Sequence, residues 1–246
     1  MLSVPLITLL VGQAGAYSYK MDDAGNQLAW ETTPIPVAVN TAGLEDVTGD
    51  DALIALEDAI ADFSDSGHSE LRFDLEAGEA PRAVDWQDGV NSIFFTDDWR
   101  EDDTLLAMTY TWYEDGGEII GFDMAVNLAN HAWSTDGEAD FNDLHNTLAH
   151  ELGHAAGLGH SDVPEATMFA TTFPGELTKR GLHDDDKEAL GGLYGEMGFD
   201  QRRAFACSTG GAGFGGSAPL LLSVMAIAGL MARRSDSDPE STGEVA

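Results

Sequence analysis

Ile35, Val37 and Val39 alternate with their neighbours at the period of two that turns one face of a strand inward. Thr48-x-x-Asp51 then offers an N-terminal helix cap. Leu53, Leu56, Ile60 and Phe63 follow on one side of the helix it predicts. Leu71, Phe73 and Leu75 alternate again, Val90 to Thr96 reads as a buried strand, and Leu105 to Tyr113 as a longer one. Glu114-Asp115-Gly116-Gly117 is a turn signal, and Ile119 to Asn127 returns as the partner of the preceding strand. A further helix is predicted from about Asn142 to Ala156. Strands and helices mix without a repeat, so the fold class is α+β, and 246 residues suit one ordinary domain plus terminal segments.

The ends differ from the middle. Residues 1–16 carry no charged side chain, run apolar from Leu2 to Val11 and end in Ala14-Gly15-Ala16, as an exported chain's signal peptide does. Residues 17–200 form the domain, and 201–217 a Cys/Gly-rich linker. Residues 218–232, almost wholly apolar, are expected as a transmembrane or sorting helix, with the glycine-rich lead-in supplying the remaining length a bilayer needs. Arg233 and Arg234 follow as a cytoplasmic flank would, and 233–246 ends in an acidic tail. Cys207-Ser208, the glycine stretch, the short span and the arginine pair together resemble bacterial C-terminal sorting signals of the MYXO-CTERM kind. That resemblance implies a protein held at the cell surface through its C-terminus, with Cys207 as the candidate anchoring or processing residue.

Charge narrows the partners. Eleven basic residues against 44 acidic ones give a net charge of −33, and only Lys20, Lys179 and Lys187 are lysines. Phosphate backbones and anionic lipid both need clustered cations, so nucleic acid and electrostatic membrane docking are excluded. The lysine scarcity points to adaptation to high salt. Unfolding should become harder as salt rises, and equal stability at low and high salt would sink the idea. A single cysteine permits no intramolecular disulfide.

The chemistry lies in His150-Glu151-Leu152-Gly153-His154-Ala155-Ala156-Gly157-Leu158-Gly159-His160. On a helix, positions i and i+4 share a face, so His150 and His154 can reach one zinc ion at about 2.0–2.1 Å. His160 joins them only if the chain leaves the helix at Gly157, where glycine accepts a left-handed conformation cheaply. Glu151 is beside the first ligand without being one, and is placed as the general base toward water. One catalytic Zn2+ is therefore expected; the family that these residues resemble implies a protein or peptide as substrate. An alternative is a surface-anchored, zinc-containing binding or adhesion module without proteolytic activity, but a structural zinc normally takes a fourth protein ligand.

This motif, Ser161 directly after the third histidine, and Glu165-Ala166-Thr167-Met168-Phe169 together resemble the metzincin metalloproteases, and among them the matrixins. Leu182 to Lys187 through Leu193-Tyr194-Gly195 is similar to the closing helix of that family, Trp30 to Asn40 to its first strand, and Gly121 to Trp133 to the segment before the active-site helix. The resemblance implies a twisted mixed sheet over the zinc helix, Met168 in a turn beneath the metal, and an extended substrate along an edge strand. Leu105 to Thr111 is the candidate edge. It also implies a side-chain pocket formed by Asn146 and by Ala170, Thr171, Thr172 and Phe173. Phe169 stands where a tyrosine is frequent, so no phenol assists from that position. No cysteine precedes Cys207, which removes the family's cysteine lock. Ca2+ is left without assigned ligands, because Asp97–Asp103 and Asp136-Gly137-Glu138 with Asp140 depart from the twelve-residue calcium loop. His68, His131, His145 and His183 are expected as structural or surface residues.

Overall fold

β1 (Ile35–Asn40) buries Ile35 and Val37 and pairs in parallel on both sides, with β2 (Phe73–Glu79) and with β3 (Ser92–Thr96), in a computed structural model that describes residues 16–195 and 220–226. Parallel neighbours need a crossover. α1 (Gly49–Ser64) supplies it, its first turn capped by Thr48 Oγ1 accepting from the Asp51 amide at 3.1 Å. The buried side of α1 is Ala52, Ala55, Leu56, Ala59, Ile60 and Phe63. Leu53 is only half-buried; alanines occupy much of the seam and let α1 lie close against the later helix α2 (Leu144–Ala155).

β3 pairs in parallel with β5 (Ile119–Asn127), and β4 (Leu105–Tyr113) adds antiparallel outside β5. β3 starts at Ser92, later than the apolar run suggests, because the Val90 amide is taken by Asp88 Oδ1 at 2.9 Å. The hairpin turns on Gly116 and Gly117, with φ of 101° and 89°. β6 (Trp133–Ser134) pairs with β7 (Asn142–Asp143), so α2 begins after Asp143, whose Oδ1 caps it by accepting from the Asn146 amide at 2.9 Å. α3 (Asp184–Tyr194) closes the domain, opened by a reciprocal cap between His183 and Asp186. These elements confirm the α+β class.

One expectation is overturned. Part of the stretch expected as a membrane-spanning helix is instead a strand, β8 (Leu220–Ala226), antiparallel to β4, which completes the sheet order β2-β1-β3-β5-β4-β8. A short apolar run suits a helix or a strand, and here the open edge of β4 offers unpaired backbone groups that an extended segment satisfies. Among the described residues no helix is long and apolar enough to cross a membrane. Residues 1–15 of the signal peptide, Cys207 with its linker, and the tail 233–246 lie outside the described residues.

Candidate metal centre

The last turn of α2 is where the site is made. Leu158 N–H donates to Gly153 O at 2.9 Å and Gly157 N–H to His154 O at 3.1 Å, the two bonds of a Schellman ending. Gly157 has φ +88°, and a Cβ there would strike the Leu28 carbonyl oxygen. The remaining helix-end carbonyls also find donors: Trp30 Nε1 donates to Ala155 O at 2.8 Å, and the Tyr194 hydroxyl to Ala156 O at 2.7 Å. The chain is thereby turned back so that His160 faces the two helical histidines.

One ring nitrogen from each of His150, His154 and His160 lies within 4.8 Å of the others. The two helical rings stand almost perpendicular, 87° between their planes, with Nε2 atoms 3.1 Å apart. Their Nδ1 atoms meet backbone carbonyls, Thr167 O at 2.7 Å and Leu158 O at 2.9 Å. A carbonyl only accepts, so each Nδ1 carries the proton and each Nε2 presents a lone pair to the shared point. Burial lowers His150 to about 3, and the nearby His160 pushes the same way. Burial likewise holds His154 well below its usual value, with His150 adding to the effect. Three imidazoles converging on one point, two of them held neutral by burial, fit a divalent ion such as zinc.

Glu151 is fully buried next to them. Thr109 Oγ1, from β4, donates to its Oε2 at 2.6 Å, while Oε1 has no hydrogen-bond partner among the described residues. Burial pushes this carboxyl up to about 7, against the Thr109 bond and the charge of Lys20, which both pull it down. Lys20 is itself buried and donates to Thr111 Oγ1 at 2.7 Å; burial brings its ammonium down to about 7. Neither Lys20 nor Thr109 and Thr111 was picked out from the sequence. The available signal is two threonines at alternate positions of an otherwise apolar strand, and one of only three lysines.

Met168 is buried beneath α2, its Sδ against Gly153, where any Cβ would collide with it. The turn that holds Met168 is tied from α3: Asp186 accepts from Thr167 N at 2.8 Å, Met168 N at 3.1 Å and His183 N at 2.9 Å. Ser161 Oγ donates to the neighbouring Asp185 at 2.6 Å and accepts from Val163 N, so its place after His160 is structural.

The residues expected to line a side-chain pocket cluster near Glu176. Asn146 is buried, and its Nδ2 donates to Glu176 O at 2.5 Å. Thr172 Oγ1 and the Phe173 amide both donate to Glu176 Oε2, at 3.0 and 3.2 Å. Thr171 accepts through its carbonyl from Lys179, whose Nζ also lies 5.2 Å from the centre of the Phe169 ring. Ala170 is half-buried and Phe173 is exposed. Elsewhere, His183 is a helix cap, His68 Nδ1 bonds Ser66 O, and His145 lies 3.5 Å from Asp62. Of the acidic runs, Asp98 pairs with Arg100, Asp102 caps Thr104 and Asp136 bonds Ser134.

Over residues 13–195 the chain matches the family described as Peptidase_M10, Matrixin. It is 42% identical over 104 residues to Matrix metalloproteinase-2 of Drosophila melanogaster, which covers 40% of this chain and 13% of that protein. Stromelysin-1 of Rattus norvegicus is 33% identical over 127 residues, 45% of this chain and 26% of its own. Matrilysin of the same species is 31% identical over 99 residues, 33% and 37% respectively. The matched stretches are thus a minor part of each relative's length.

Proposed function

The chain belongs to the matrixin family, and on that premise we propose that it is a zinc-dependent endopeptidase that hydrolyses peptide bonds in a protein or peptide substrate. One observation carries the reading: three imidazoles converge beside the buried Glu151 carboxyl, whose Oε1 has no hydrogen-bond partner among the described residues. His150, His154 and His160 would hold the ion, which when bound supplies Lewis acidity toward a peptide carbonyl and acidifies water. Glu151 is the general base: its Oε1 takes the proton of the attacking water and returns it to the leaving amine nitrogen. Thr109 fixes the other carboxylate oxygen and so aims Oε1. Met168 supports the helix from below. The edge Leu105–Thr111 pairs with the extended substrate, and Asn146 with Ala170 to Phe173 borders the side chain next to the cut bond.

The adhesion reading would call for a fourth ligand, and the cluster among the described residues has three. Export belongs to the same proposal, supported by the uncharged, apolar N-terminal run ending in Ala14-Gly15-Ala16. Retention at the cell surface, without a bilayer span, is supported by the resemblance of Cys207 and its glycine-rich surroundings to sorting signals. Digestion of a mixed peptide library by the zinc-loaded protein should yield cuts that chelation abolishes and zinc restores. A library left intact at every zinc level rejects the endopeptidase.

A further inference from the structure

β4 is the strand on which the proposed substrate would lie, and its outer edge is occupied. β8 runs antiparallel along it in the register Met108↔Val224, Thr109↔Ser223, Tyr110↔Leu222, Thr111↔Leu221 and Trp112↔Leu220, and after an irregularity Leu105 meets Ala226. The pairing covers the length of the edge assigned to substrate, including Thr109, whose hydroxyl orients Glu151. β8 also comes within 8 Å of α2, the helix that bears two of the three histidines, measured between Cα atoms. Backbone pairing along a sheet edge saturates it: each outward N–H of β4 donates to one partner and each outward C=O accepts from one.

We propose that Leu220–Ala226 is a built-in inhibitor, a strand of the chain's own C-terminal region that occupies the substrate edge of β4 and must leave before a substrate can pair. The proposal rests on the endopeptidase reading. Its occupant is this chain, for three reasons. Residues 195–219 connect α3 to β8, and a chain of that length reaches roughly 80 Å when extended, about twice the diameter of a domain this size. Tethering by such a length gives an effective concentration on the order of millimolar, against typical substrate KM values of about 1 μM–1 mM. Finally, Leu-Leu-Leu-Ser-Val-Met-Ala carries no charge in a chain of net charge −33, so it approaches an acidic domain without repulsion.

The test uses the full-length, zinc-loaded protein and the double variant L221P/L222P. Proline has no N–H and breaks a ladder, and two adjacent prolines act whichever of the two residues faces β4. The two readouts are kcat/KM on a short fluorogenic peptide and amide hydrogen exchange across Leu105–Trp112. The expected result is a rise in kcat/KM of about tenfold or more, accompanied by faster exchange in β4. Equal rates with equal exchange overturn the proposal. So does release, by the wild-type chain, of a fragment cut within 220–226, since the strand would then be a substrate. Inhibition that fades on dilution of the enzyme overturns the intramolecular assignment. If neither form cuts any peptide, the endopeptidase reading fails and the inhibitory role falls with it, while exchange still reports separately whether the edge is occupied.

Discussion

Replacing Glu151 by Gln should leave zinc bound and lower kcat/KM by about 10²- to 10⁴-fold, the range a positioned general base supplies. The amide keeps the carboxylate's size and still accepts from Thr109 through its oxygen, so the helix and its histidines have no reason to move. It cannot take up a proton. The same substitution should affect stability in the opposite sense. Glu151 is fully buried and its carboxyl lies at about 7 rather than 4.5. A raised acid binds its proton more tightly in the folded state, so its favourable contribution is complete below pH 4.5 and is lost as pH rises through 7. In metal-free protein above pH 7, E151Q should therefore be the more stable form, by up to roughly 3 kcal/mol before Lys20's loss of a counter-charge is subtracted. Zinc content, peptide cleavage and thermal unfolding at pH 4.5 and pH 8 check the three parts. Cleavage at the wild-type rate with zinc bound would remove Glu151 from the mechanism.

Gly157→Val should cost the metal itself. The left-handed φ of +88° is strained for any side chain, by about 1–2 kcal/mol, and valine's branched Cβ is the worse fit. More decisive is the Leu28 carbonyl oxygen in the path of that Cβ, because backbone cannot rotate aside as a side-chain tip can. Either the turn opens or the Leu28 segment retreats, and both displace His160 relative to α2. Zinc affinity should fall by at least about tenfold, the lower bound for disturbing groups that orient metal ligands. Gly181→Ala is the control, since a Cβ there meets nothing within 4 Å and needs no positive φ. Competitive zinc titration of the two variants separates the outcomes, and wild-type affinity in Gly157→Val would show that the turn tolerates a side chain.

What was legible in the sequence divides by range. His150 and His154 share a face because a helix fixes their spacing, Gly157 announces its own φ, and the hairpin around Gly116 and Gly117 is a local event. Those features need only neighbours in sequence. Thr109 is 42 positions from Glu151 and Lys20 is 91 from Thr111, so no local period marks their meeting. Asn146 was expected to open toward a pocket; its partner is Glu176 O, 30 positions on, and the contact turns on how the following loop packs. The apolar segment Leu220–Ala226 is ambiguous for another reason. Its composition suits a helix in lipid or a strand in a sheet, and the choice depends on whether β4's edge is open to it, which the segment itself does not encode.

The carbonyl groups that end α2 have one further consequence. Their donors are Trp30, from before the first strand of the sheet, and Tyr194, from the end of α3. The eleven-residue motif is thus clamped by residues synthesised long before it and by one synthesised well after. A nascent chain that has just completed His160 lacks α3 and the Asp186 tether beneath Met168. Metal geometry is accordingly a property of the finished domain, and a chain still lacking its last helix lacks two of the ties that hold the histidine cluster.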